Sequence, residues 1–126
     1  MDVIVTHTNA DFDALASLVA ASLLYPEASL VMPGSHEHVD EFLNTCPHHI
    51  PLVKINKIPL EQVTRLIIVD TRQLGRIGKL KDIIKNNVSN NKKIPIHIFD
   101  HHPSRANDIT GEIMVIRQTG ATTTIL

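Results

Sequence analysis

Three short stretches concentrate the groups that could do chemistry. Val5-Thr6-His7-Thr8-Asn9-Ala10-Asp11-Phe12-Asp13 carries an imidazole and two carboxylates; Ile67-Ile68-Val69-Asp70 ends in a third carboxylate; Ile98-Phe99-Asp100-His101-His102-Pro103 holds a fourth and two more imidazoles. If gathered at one place, four aspartates could not all stay ionised unaided, because carboxylates sharing a site raise one another's pKa. A divalent cation relieves that repulsion. Mixed imidazole and carboxylate donors suit manganese, iron, cobalt or zinc better than calcium, which prefers oxygen alone. Asp11 and Asp13 stand two apart, a spacing that cannot set both side chains on one helical face, so they serve two adjacent ions more easily than one. Two ions about 4 Å apart can bridge a hydroxide, orient a phosphate and stabilise the leaving oxygen. That chemistry is hydrolysis of a phosphate ester or anhydride.

Each stretch alone has a plainer reading. Asp11 could cap a helix with Asp13 in its positive first turn, Asp70 could cap another, and His101-His102-Pro103 could be a turn. The conjunction favours metal chemistry, because each cluster directly follows an apolar run. Of the other histidines, His36, His38, His48 and His49 lie in polar, loop-like surroundings and read as solvated, whereas His97 sits between Ile96 and Ile98 and reads as a packing residue. Arg65, Arg72, Arg76 and Arg105 could hold phosphate, with Arg105 the best placed just past the histidine pair.

The elements that must position these groups follow from periodicity. Strands are expected at Val3–Val5, Ser29–Met32, Leu66–Val69 and Ile96–Phe99, with a fifth over Glu112–Arg117. Helices are expected over Asp13–Tyr25, stopped by Pro26; over Glu37–Cys46, with Ser35 as a cap; and over Ile77–Val88, where Ile77, Leu80, Ile83 and Ile84 form one stripe. Ser89 to Lys93 reads as a loop, and Thr119 or Gly120 opens a further helical segment. Strands alternating with helices predict an α/β domain with a largely parallel sheet and helices on both faces. In such a sheet ligands bind at the carboxyl ends of the strands, where the three clusters would meet.

Composition narrows the classes. The 126 residues are 43% hydrophobic with a formal net charge of -1, which fits one globular domain and gives no general pull toward nucleic acid or membrane. Cys46, the single cysteine, excludes an internal disulfide framework and fits a reducing cytoplasm. The start lacks a signal-peptide pattern, and no apolar run is long enough to span a bilayer.

The motifs "HTNADFD", "IIVDT" and "IFDHHP", in that order and after those strands, resemble the first three motifs of the DHH phosphoesterase superfamily, across nearly the whole chain. The resemblance implies that His7 and Asp11 hold one metal and Asp13 and His101 the other, with Asp70 bridging both. His102 would face the substrate phosphate, and Asp100 would orient the histidine pair as an outer acceptor within the catalytic group. The nucleophile implied is a hydroxide bridging two divalent ions, manganese first, with magnesium, cobalt, iron or zinc as alternatives. Cys46 then has no part. "LYPEASLVMPGS", "VDTRQLGRIGKL" and "GATTTIL" further resemble the amino-terminal DHH portion of bacterial proteins in which DHH and CBS domains precede a tRNA nucleotidyltransferase or poly(A) polymerase-type module.

That likeness implies an N-terminal portion of a DHH domain over residues 1–126, without the substrate-binding domain. Family members carry a fourth metal-binding aspartate well downstream of the DHH motif, and Asp108 lies too close to be it. A piece of this kind would bind metal weakly or unevenly, would be inactive alone and would expose apolar surface toward the downstream domains of its parent chain. The expected function is hydrolysis of phosphodiester bonds in short RNA or DNA oligonucleotides, or of a related small phosphorylated molecule, in the cytoplasm, with a homodimer as one candidate assembly and no membrane partner. The alternatives are an inorganic pyrophosphatase or exopolyphosphatase, and a non-catalytic nucleotide- or RNA-sensing module regulating an attached polymerase.

Overall fold

The computed structural model describes residues 1–46, 49–89, 93–117 and 126. Its six strands are β1 (Asp2–Val5), β2 (Ser29–Val31), β3 (Leu52–Val53), β4 (Arg65–Val69), β5 (Ile96–Asp100) and β6 (Ile113–Ile116). They form one sheet in the order β3-β2-β1-β4-β5-β6, and every pair is parallel. Chain order runs outward from β1 to β3 on one side and from β4 to β6 on the other. The direction reverses between β1 and β4, and a sheet of this order opens its crevice at that switch point.

A parallel sheet covered on both faces needs apolar residues on both sides of each strand. Val3, Val5, Val31, Leu66, Ile68, Ile96 and Ile98 pack on one face with Ile83 of the helix α3 (Lys81–Ser89). Ile4, Leu30, Ile67, Val69 and Phe99 pack on the other with Leu18 and Ala21 of α1 (Phe12–Leu24). The expected α/β architecture with helices on both faces is what the chain adopts. α1 also exposes Val19, Leu23 and Leu24. Between these two in sequence, α2 (Glu37–Thr45) buries Val39.

Several local expectations change. β3 was not legible, because two residues are too few to show a period. The third helix starts at Lys81 rather than Ile77, preceded by 3-10 turns at Leu74–Arg76 and Gly78–Leu80. Gly78 at φ +63° breaks the helical path, and a Cβ there would lie 2.5 Å from Ile55 Cδ1. Ile77 and Leu80 stay fully buried all the same. His36, not Ser35, caps α2, its Nδ1 accepting from the His38 amide at 3.2 Å, while the Ser35 hydroxyl bonds the Asp40 carboxylate. Phe12 is half exposed and meets Phe42 edge-on with ring centroids 5.7 Å apart. The helical start expected at Thr119 or Gly120, His48, and Asn90 to Lys92 of the expected loop lie outside the described residues. No helix among the described residues is long and apolar enough to cross a membrane.

Candidate metal centre

Sheet register explains how distant residues meet. Val5 pairs with Ile68 and Val69 with Phe99, so chain leaving β1 and β5 runs out on either side of chain leaving β4. His7 emerges on one flank of Asp70, and His101 on the other. Asp70 leaves strand geometry at φ +65°, a left-handed conformation that aspartate tolerates better than most side chains and that recurs at functional sites. Its amide still donates to the Phe99 carbonyl at 2.9 Å, which ties the turn to β5.

From there its buried carboxylate reaches both neighbours. Asp70 Oδ2 lies 3.0 Å from His7 Nε2, and Asp70 Oδ1 lies 3.1 Å from His101 Nε2. The same His101 nitrogen is 3.2 Å from Asp13 Oδ2. Asp11 completes the other side: donor atoms of His7, Asp11 and Asp70 all lie within 4.8 Å of one another, as do those of Asp70, His101 and His102. The two acids of "DFD" thus stand on opposite flanks of Asp70. Asp11 is also the N-cap of α1, accepting from the Ala14 amide at 2.9 Å; a carboxylate with two oxygens can cap and ligate at once.

The imidazoles are held in set orientations. His7 Nδ1–H donates to the Thr8 carbonyl at 2.8 Å, which turns Nε2 toward the cluster, so that loss of the Nε2 proton would leave the tautomer a metal ligand needs. Arg76 Nη2 stands 3.0 Å from both His7 Nδ1 and the Thr8 carbonyl oxygen, and the Thr8 amide donates back to the Arg76 carbonyl at 2.7 Å. Burial opposes a charged His7, but the hydrogen bonds to Asp70 and Thr8 outweigh it, and the pKa lies above the ordinary 6.5. A proton held there is what a cation would displace. Two clusters of imidazole and carboxylate donors, with His7 oriented by a backbone acceptor, fit divalent metal.

Asp100 is wholly buried and already engaged. Its Oδ1 accepts from the His101 amide at 2.9 Å, the His102 amide at 3.3 Å and His102 Nδ1 at 2.6 Å, and its Oδ2 accepts from Arg72 Nε at 3.0 Å. The half-exposed His102 ring is thereby fixed with Nε2 as its remaining polar atom. Arg72 is not available to a ligand in the way its sequence position suggested: buried at 5% exposure, it also donates to the His102 carbonyl at 2.6 Å and to Ser104 Oγ at 3.4 Å. It clamps the "DHHPS" loop. Arg65 lies at the start of β4, at the opposite edge of the sheet from Asp70, where it pairs with Asp2. The exposed Arg105 follows the histidine pair, its amide donating to Asp108 Oδ2 at 2.7 Å. The Thr8 carbonyl and the Arg76 contact behind His7 were missed at the sequence level; the only signal was Arg72 and Arg76 following Asp70 within one turn-rich stretch.

The chain is 41% identical over 128 aligned residues to the A-adding tRNA nucleotidyltransferase of Geobacter sulfurreducens; the match takes in 100% of this chain but 14% of that protein. The chain thus spans about a seventh of the relative's length. The family described as "DHH family, N-terminal domain" matches residues 3–126. With that match covering almost every residue, the chain belongs to the DHH family and carries its N-terminal domain.

Proposed function

We propose that this domain is a divalent-metal-dependent phosphoesterase acting on phosphodiester bonds of short oligonucleotides or a related small phosphorylated substrate, in the cytoplasm. The observation that carries the reading is Asp70, whose two oxygens meet imidazoles from two different strand ends while Asp11 and Asp13 stand on opposite flanks. His7, Asp11 and Asp70 would hold one ion, and Asp13, Asp70 and His101 the other, with manganese the favoured metal. Such ions neutralise the crowded carboxylates, activate water and polarise phosphate oxygens. The chain itself supplies orientation: the Thr8 carbonyl fixes His7, and Asp100 fixes His102, whose Nε2 is offered to a phosphate oxygen. Asp100 is a positioning residue in this scheme, since its oxygens are already occupied by donors. The pyrophosphatase or exopolyphosphatase alternative uses the same donors on a smaller substrate.

A second reading has its own support. The relative is named a tRNA nucleotidyltransferase, so the domain could sense RNA or nucleotides for an attached polymerase without cleaving them. The two readings part on one experiment with the full-length protein. Anomalous scattering at saturating Mn²⁺ should place metal beside Asp70, and hydrolysis of short RNA should fall by more than about 100-fold in Asp70→Asn. An unchanged rate in that variant removes Asp70 from the proposed two-metal site; metal and RNA bound by the wild type with no turnover sinks the phosphoesterase reading and favours the sensor.

A further inference from the structure

A helix lying on a sheet normally turns charged side chains to solvent, as α3 does with Lys81, Asp82 and Lys85. α1 does not. Asp13 is its one charged residue, and that carboxylate is turned to His101. Its outward stripe, at i, i+4, i+7 and i+11, consists of Phe12, Ala16, Val19 and Leu23; all four are exposed, the large ones at 51%, 39% and 81%. Leu24 stands exposed at one margin, and the exposed Phe42 of α2 widens the stripe where it meets Phe12. The other side of the same helix packs on the sheet through Leu18 and Ala21. A helix apolar on both sides is one that is covered on both sides.

Size and shape indicate what covers the stripe. It offers on the order of 500 Å² of mostly apolar surface, given the area that one large apolar side chain contributes. Two such faces together bury on the order of 1,000 Å², the size of a weak but specific contact between proteins. The stripe is also complementary to itself. Leu23 protrudes as a knob at one end, and at the other Phe12 and Phe42 meet edge-on with centroids 5.7 Å apart and form a notch. Knob and notch are separated along α1 by about 16 Å, at about 1.5 Å per residue. In an antiparallel copy related by a two-fold axis between Ala16 and Val19, each Leu23 enters the partner's notch and each Ala16 meets the partner's Val19. The small side chains of Ala16 and Ala20 lie near that axis, where two packed helices must approach to about 8–10 Å.

We propose that the outward face of α1 is a homodimer interface, packed antiparallel on α1 of a second copy of this chain. The contact is isologous, so the pairing of Leu23 with the aromatic notch is made twice. It does not depend on the phosphoesterase reading. It adjoins the metal centre by position: Asp11 and Asp13 flank Phe12, so the partner's Leu23 packs against the turn that carries two of the expected ligands.

The test is sedimentation equilibrium of the full-length protein over a range of concentrations. A reversible monomer–dimer equilibrium is expected, with a dissociation constant on the order of micromolar, as suits a contact of this area. Leu23→Lys and Phe42→Glu should each weaken it roughly tenfold or more, while Val88→Lys, at an exposed apolar position on α3, leaves it unchanged. Mixing the Leu23→Lys and Phe42→Glu proteins in equal amounts should restore association. One end of the mixed dimer then keeps Leu23 against Phe42, and the other sets the introduced ammonium against the introduced carboxylate. A protein that stays monomeric throughout overturns the proposal, as does a dimer indifferent to both substitutions or one that the mixture fails to restore. A Leu23→Lys variant that is monomeric like the wild type yet unfolds at lower denaturant assigns the stripe to another part of its own polypeptide, and also overturns it.

Discussion

Two polar clusters occupy opposite edges of the same sheet. At the carboxyl edge, His7, Asp11, Asp13, Asp70 and His101 converge. At the amino edge, Asp2 pairs with Arg65, the Arg65 guanidinium lies 5.1 Å from the centroid of the Tyr25 ring, and the Tyr25 hydroxyl meets His97 Nδ1 at 2.7 Å. Both clusters draw on β1, β4 and β5, and both mix imidazole with ionised groups. Their electrostatics differ in kind. The amino-edge cluster balances internally, an acid against a base and a hydroxyl against a neutral imidazole, with only Arg65 Nε buried and lacking an acceptor among the described residues. At the carboxyl edge three carboxylates face the same two imidazoles, an arrangement that draws in positive charge. Convergence of like charge, more than the presence of titratable groups, separates a site from a structural network.

The contrast can be broken or sharpened by measurement. The largest effect is expected where the loop behind the site is clamped: Arg72→Met leaves the buried Asp100 charge without its partner and should cost about 3–5 kcal/mol in chemical denaturation. A loss near zero would show that the clamp carries no weight. Next comes the metal. Mn²⁺ at about 100 times its dissociation constant should stabilise the full-length protein by about 2.7 kcal/mol, and Asp70→Asn should abolish that gain while Tyr25→Phe leaves it intact. Metal stabilisation that survives Asp70→Asn would place the ions elsewhere.

At the amino edge, Tyr25→Phe removes one hydrogen bond to His97 and should cost only about 1 kcal/mol, with no change in metal response. The smallest effect is in pH. Burial first, with Arg65 nearby, lowers the His97 pKa below its ordinary 6.5, so between that value and the lowered one the unfolded chain binds the extra proton. The contribution of His97 to stability is therefore complete above pH 6.5 and is lost as pH falls through the folded-state value. Comparing wild type with His97→Asn in EDTA at pH 7.5 and pH 5.5 should show the stability difference narrowing at the lower pH; a constant difference would mean that His97 is not held neutral.

Much of this was legible from residue order. Runs such as Val3-Ile4-Val5 and Leu66-Ile67-Ile68-Val69, apolar at every position, announce strands buried on two faces, and the acids and histidines placed straight after them mark the carboxyl edge. Other features depend on partners distant in sequence. β3 exists because β2 offers Leu52 and Val53 a register. The late start of α3 follows from Gly78 lying against Ile55. Arg72 reads as one more cation until folding buries it beside Asp100, 28 residues away.

The types and order of His7, Asp11, Asp13, Asp70, Asp100, His101 and His102, and the alternation that carries them to one edge, are properties of the sequence, since side-chain chemistry and backbone periodicity are local. Tertiary structure alone decided that Asp70 stands between the two histidines, that Asp11 and Asp13 take opposite flanks, and that Arg72 is buried against Asp100. Those outcomes rest on strand register and on a left-handed turn at Asp70. Register is set by the packing of whole strands against one another, which no short stretch contains.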